Sequence, residues 1–105
     1  MYLPEKYKNF SSSYPKIFKA YKEMGTLVRE SGPLDEKTQN LVKLGIAVGS
    51  NSKGGVKSHT RKAIETGATK EEINHAILLA LSTIGFPSMI AAVSWAGEVI
   101  EKGGK

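Results

Sequence analysis

The sequence predicts an all-α protein of five or six helices joined by short loops. Three observations lead there. Apolar residues recur at spacings of three and four along most of the chain. No stretch alternates apolar and polar residues as a half-buried strand would. Helix-stop and helix-start residues punctuate the chain at regular intervals, the clearest being Thr69 with Glu72 and the Gly85-Phe86-Pro87 break.

Residues 1–12 mix Pro4, Lys6, Lys8 and serines without a period, which predicts an extended N-terminal arm ahead of one helical domain spanning 13–105. With Ser13 as cap, the first helix starts at Pro15 and carries Ile17, Phe18, Tyr21, Met24, Leu27 and Val28. Ser31, Gly32 and Pro33 stop it. A second helix starts after Asp35, a good N-cap, and runs to about Val48; its apolar residues surround most of the axis, as in a buried helix. Gly49 to Gly55 reads as a turn-rich linker, and a third helix follows from about Val56 to Thr66. The Thr69/Glu72 capping box opens a fourth helix at Lys70, continuing to Ile84. A fifth runs from about Pro87 to Glu101, forming a hairpin with the fourth.

A chain of 105 residues holds one domain. Helices apolar on more than one face, in a chain too small to bury both, predict a homo-oligomer (a dimer, trimer or hexamer); a monomer whose helices pack on all sides is the alternative. Fifteen Lys and Arg against ten Asp and Glu give a net charge of +5, which favours a small anionic ligand. The basic residues are dispersed and accompany no nucleic-acid-binding motif, so nucleic acid is not the expected partner. The N-terminus lacks a secretory apolar segment, and the densest apolar run, Ala76 to Leu81, is far too short to span a membrane; a cytoplasmic protein is expected. With no cysteine, disulfides and thiolate chemistry are excluded. No His, Asp or Glu spacing marks a metal site, and Gly54-Gly55 lacks the Lys-Ser or Lys-Thr of a phosphate loop, so neither metal nor cofactor is expected.

Leu34-Asp35, Thr38, Asn51, His59, Gly67-Ala68, Glu71-Glu72-Ile73 and Gly85-Phe86-Pro87 together resemble the carboxymuconolactone decarboxylase family, which includes the alkylhydroperoxidase D proteins. The resemblance implies that family's helical bundle. In the hydroperoxidase branch, two cysteines stand seven and four residues before a histidine and a glutamate nineteen before it. Counting back from His59 gives Ser52, Gly55 and Asn40, so a family-level peroxidase label does not carry thiol peroxidase activity to this chain. The decarboxylase branch is closer, with Asn51 eight residues before His59; Ser50 replaces its usual glycine, and Gln39-Asn40 replaces its usual Arg-Glu.

On this reading His59 is the catalytic residue, a general acid or base in the decarboxylation or lactone chemistry of a small anionic substrate. Asn40, Asn51, Ser52, Lys53, Lys57 and Arg61 are the candidate substrate-binding residues, aided by backbone donors where the third helix begins. Each has a plainer alternative. His59 lies on its helix's apolar side, where a satisfied core histidine also fits; Asn51 and Ser52 suit turn and cap positions; Lys57 and Arg61 suit a solvated face. The rival to an enzyme is a non-catalytic helical oligomer that binds an anionic metabolite or a protein partner.

Overall fold

Proline at position 15 cannot donate to a preceding turn, and it divides residues 5–30 into two helices rather than an arm and one helix. The computed structural model describes residues 4–104. Among them are six α-helices, α1 (Glu5–Ser13), α2 (Pro15–Glu30), α3 (Glu36–Gly49), α4 (Lys53–Glu65), α5 (Lys70–Leu78) and α6 (Phe86–Glu101), with a 3₁₀ turn at Leu79–Ser82 and no strand.

The chain divides into two compact units between Pro33 and Leu34. In the first, the expected extended arm is helical from Glu5 onward, and its residues 1–3 lie outside the described residues. The helix escapes a periodicity search because it buries nothing fully. Aromatic packing supports it instead: Phe10 lies 5.3 Å from Tyr14 and 6.3 Å from Phe18 of α2 between ring centroids, within the range of favourable aromatic pairs. Ser13 ends α1, and Tyr14 rather than Ser13 occupies the N-cap position of α2.

In the second unit, Asp35 caps α3 as expected, its carboxylate accepting from the Thr38 N–H at 2.8 Å. Within the chain α3 buries one face, through Leu44, Ala47 and Val48, and leaves Val42 and Ile46 exposed, so it is not the all-round buried helix its composition suggested. Helix α4 starts three residues earlier than the glycines at 54 and 55 implied. Asn51 takes a left-handed conformation (φ 54°), and the Ser52 hydroxyl then accepts from the Gly55 N–H at 3.0 Å. Gly55 is where α4 meets α3: a Cβ there would stand 2.8 Å from Ser52 Oγ and 3.0 Å from the Ala47 Cβ. We expect Gly55→Ala to destabilise the fold by about 1–2 kcal/mol despite alanine's better helix propensity, because α4 must back away from Ala47 and loosen its cap. Urea denaturation of the variant checks this, and an unchanged or raised midpoint would contradict it.

The capping box of α5 is complete: Thr69 Oγ1 accepts from the Glu72 N–H at 3.0 Å, and Glu72 Oε1 accepts from the Thr69 N–H at 2.8 Å. The α-helical part of this segment ends at Leu78, six residues before the expected Ile84. There the backbone tightens, and the Ala80 carbonyl accepts from the N–H groups of Thr83, Ile84 and Gly85. Gly85 turns the chain at φ 103°, a conformation that favours glycine, and the following Phe86-Pro87 opens α6. The core is built from Leu44 and Val48 of α3, Val56 and Ala63 of α4, Ile73 and Ile77 of α5, and Met89, Ala92 and Ala96 of α6. Trp95 packs against it partly buried, while Phe86 is exposed.

Candidate functional site around His59

Val56 and Ala63, one turn either side of His59 on α4, are fully buried, and this draws the imidazole inward. The ring is half-buried. Its Nδ1 is sealed from solvent and has no hydrogen-bond partner, as is the Oγ1 of the fully buried neighbour Thr60. A core histidine held for structure alone normally satisfies its ring nitrogens, so a buried unpaired one is unusual. Burial is the main force that lowers the His59 pKa to about 4; the charges of Lys62 on α4 and Lys43 on α3 add to it. At neutral pH the imidazole is therefore uncharged inside a positive field.

This shift couples stability to pH. The unfolded chain binds the His59 proton below about pH 6.5 and the native chain only near pH 4, so the stabilisation is complete above about 6.5 and is lost as pH falls toward 4. Because the ring is only half-buried, the expected loss is discounted to on the order of 1–2 kcal/mol. Denaturant titrations of the protein and of His59→Gln between pH 4 and 7 test it: the slope should flatten in the variant, and identical slopes would refute the assignment.

The other sequence-derived candidates separate into groups. Lys57 and Arg61 share α4 with His59, and Lys57 Nζ reaches Glu98 Oε2 of α6 at 3.6 Å. Lys53 is the first residue of α4 and is exposed. Asn51 sits in the left-handed turn and Ser52 is the helix cap, so both occupy backbone-shaping positions. Asn40 donates through Nδ2 to Thr66 Oγ1 at 3.1 Å and to the Lys62 carbonyl at 3.3 Å, tying α3 to the end of α4. That amide nitrogen is spent on structure rather than aimed at the imidazole.

Sequence reasoning did not single out Lys43 or Thr60. Lys43 follows Asn40 by three residues and so lies one helical turn along α3, which was the available signal. Thr60 carries no such signal, since threonine in a helix is ordinary. Among the described residues no group of three or more His, Cys, Asp or Glu side chains is placed to hold a metal ion. No described helix is long and apolar enough to cross a membrane.

A separate open groove of about 560 Å³ runs between α3 and the α5–3₁₀ segment. Leu41, Val42, Gly45, Leu79 and Ile84 are among its apolar lining, and His59 is not part of it. At its rim Lys37 Nζ meets Glu72 Oε2 at 2.9 Å, and the Glu72 carboxyl is held below its ordinary pKa, chiefly by the Thr69 N–H of the capping box.

The model of the carboxymuconolactone decarboxylase family matches residues 15–98, which include α2 to α5 and most of α6. The chain belongs to the carboxymuconolactone decarboxylase family. A family member from Legionella pneumophila, solved in its apo form, superposes with a TM-score of 0.81 over 95% of this chain and 88% of its own, at 22% identity, a likeness of fold. A Burkholderia xenovorans LB400 structure described under the same decarboxylase name gives 0.77 over 95% and 81%, at 26% identity. In sequence, an uncharacterized protein of Methanocaldococcus jannaschii is 34% identical over 81% of this chain and 79% of its own length. The nitrosuccinic acid decarboxylase of the fungus Metarhizium robertsii is 39% identical over 66% of this chain, a match that spans 48% of that enzyme. This family member has no cysteine.

Proposed function

We propose that the protein is a cofactor-independent lyase that uses His59 to decarboxylate a small carboxylic acid or process the related lactone. The observation that carries this reading is the sealed, unpartnered Nδ1 of a neutral imidazole beside Lys43 and Lys62. The cations that push the proton off His59 also attract a carboxylate. Once an anion binds, its charge opposes theirs and raises the imidazole pKa, so His59 takes up a proton from solvent when substrate is in place. The carbon–carboxylate bond then breaks, carbon dioxide leaves, and the electron pair moves into a carbonyl or nitro group on the substrate. Imidazolium returns the proton to that carbon, which restores neutral His59. The decarboxylase name of the fungal relative supports this reaction class for the scaffold.

A second reading, an oligomer that binds an anion without turning it over, is favoured by one observation. Asn40 stands where the family's glutamate is expected, and its amide nitrogen is engaged by Thr66 and the Lys62 carbonyl. Ligand binding is common to both readings, and turnover divides them.

Thermal denaturation against a panel of dicarboxylates, keto acids and lactones tests the shared step. A compound at a hundred times its dissociation constant should add about 2.7 kcal/mol, and His59→Gln should remove that gain. A panel that shifts neither protein would overturn the anion site.

A further inference from the structure

Asn40 stands where the family pattern has a glutamate, and its amide has a definite object. Asn40 Nδ2 on α3 donates to the Lys62 carbonyl of α4 at 3.3 Å and to Thr66 Oγ1 at 3.1 Å. The same carbonyl accepts from Thr66 Oγ1 at 2.9 Å and from the Thr66 N–H at 3.1 Å. Three donors therefore converge on one peptide group, a firmer hold than the one N–H that a helical carbonyl ordinarily receives. This fixes the point from which the Lys62 side chain leaves the helix.

Lys62 follows His59 by three residues, so the two side chains are neighbours on the surface of α4, with Cβ atoms about 5–6 Å apart. His59 is half-buried and Lys62 exposed, so an anion arriving from solvent can reach both. On the same helix Lys57 is engaged by Glu98, whereas Lys62 forms no ion pair among the described residues. After burial, the charge of Lys62 is the largest cause of the lowered His59 pKa, ahead of Lys43.

We infer that Lys62 holds the carboxylate of the substrate beside the His59 ring, and that Asn40 and Thr66 position Lys62 to do so. Lys62 is then a binding residue and Asn40 a positioning residue, which acts on the anion through the lysine rather than on the imidazole. The inference rests on the anion site proposed around His59 and names the groups that build it. It also gives the amide at position 40 a task closed to an ionised carboxylate, since only an N–H can donate to the Lys62 carbonyl and the Thr66 hydroxyl. A carboxylate there would compete with the substrate for the lysine.

The test titrates malonate into the protein and follows the ring signals of His59 by NMR, with helical circular dichroism confirming the fold of each variant. Lys62→Met should raise the malonate dissociation constant about tenfold or more, as expected for the loss of a charged hydrogen bond. Lys62→Arg should keep most of the affinity. Lys70→Gln, which removes the same charge from the exposed start of α5, should leave it unchanged. Asn40→Ala and Thr66→Val should each weaken malonate severalfold, and neither should weaken it further in the Lys62→Met background. That loss of additivity separates a residue acting through Lys62 from one that only holds the helices together. If Lys62→Met binds malonate as tightly as the unmodified protein, with the His59 signals still shifting, the assignment is overturned and the His59 site stands. Equal losses from Asn40→Ala with and without Lys62→Met would overturn the positioning role. Malonate that moves no His59 signal in the unmodified protein would overturn the anion site itself, and this assignment with it.

Discussion

Leu44→Ala is expected to cost about 3–5 kcal/mol, most of the stability of so small a domain. Leu44 is fully buried at the centre of the second unit, in the cluster that includes Val56 of α4, Ile73 and Ile77 of α5, and Ala92 of α6. Truncation removes the transfer free energy of its side chain and leaves a cavity that four helices cannot close without parting from one another. Against a total of about 5–15 kcal/mol for a typical domain, the variant should unfold at markedly lower urea concentration with an unchanged slope. A loss below about 1 kcal/mol would mean that α3 is not the centre of the core. The comparison is made at one fixed protein concentration, since the stability of any self-associating chain depends on concentration.

Under the proposed lyase reading, His59→Gln is expected to lower carbon dioxide release by about 10²–10⁴-fold, the range for loss of a positioned acid–base group. Glutamine approximates the size and hydrogen-bonding capacity of imidazole but cannot cycle a proton, so the fold and some substrate affinity should survive while kcat collapses. The experiment uses whichever carboxylic acid gives the largest thermal shift and follows carbon dioxide release. A folded variant that keeps full turnover would remove His59 from the reaction. An unmodified protein that binds the acid without releasing carbon dioxide would favour the binding reading. Because a bound anion raises the imidazole pKa, kcat and kcat/KM should show different pH dependences, with the kcat profile displaced to higher pH.

Much of the helical framework is legible without coordinates because local chemistry sets it. Asp35, the Thr69/Glu72 box and the Gly85-Phe86-Pro87 break act over three or four residues, and each is where the sequence places it. The misplaced boundaries share a different cause. Helix α1 has no apolar period and rests on the packing of Phe10 against Phe18. Helix α4 begins among glycines that resemble a linker, although one of them admits the close passage of Ala47. The α5 segment changes to a 3₁₀ turn through hydrogen bonds that converge on the Ala80 carbonyl, which a list of apolar residues does not reveal.

The sequence by itself determined the all-α class, the helix caps and stops, the absence of thiol chemistry and His59 as the residue to examine, since each follows from residue identity or neighbours within a turn. Only the tertiary structure decided the state of that histidine. Its low pKa depends first on burial between helices and then on the charges of Lys62 and of Lys43, sixteen residues away on α3, and the same burial leaves Nδ1 without a partner. It also decided that the Asn40 amide nitrogen binds the end of α4 and that Val42 and Ile46 are exposed. Burial and electrostatic fields depend on distance in space, and folding brings together groups that the chain order keeps apart.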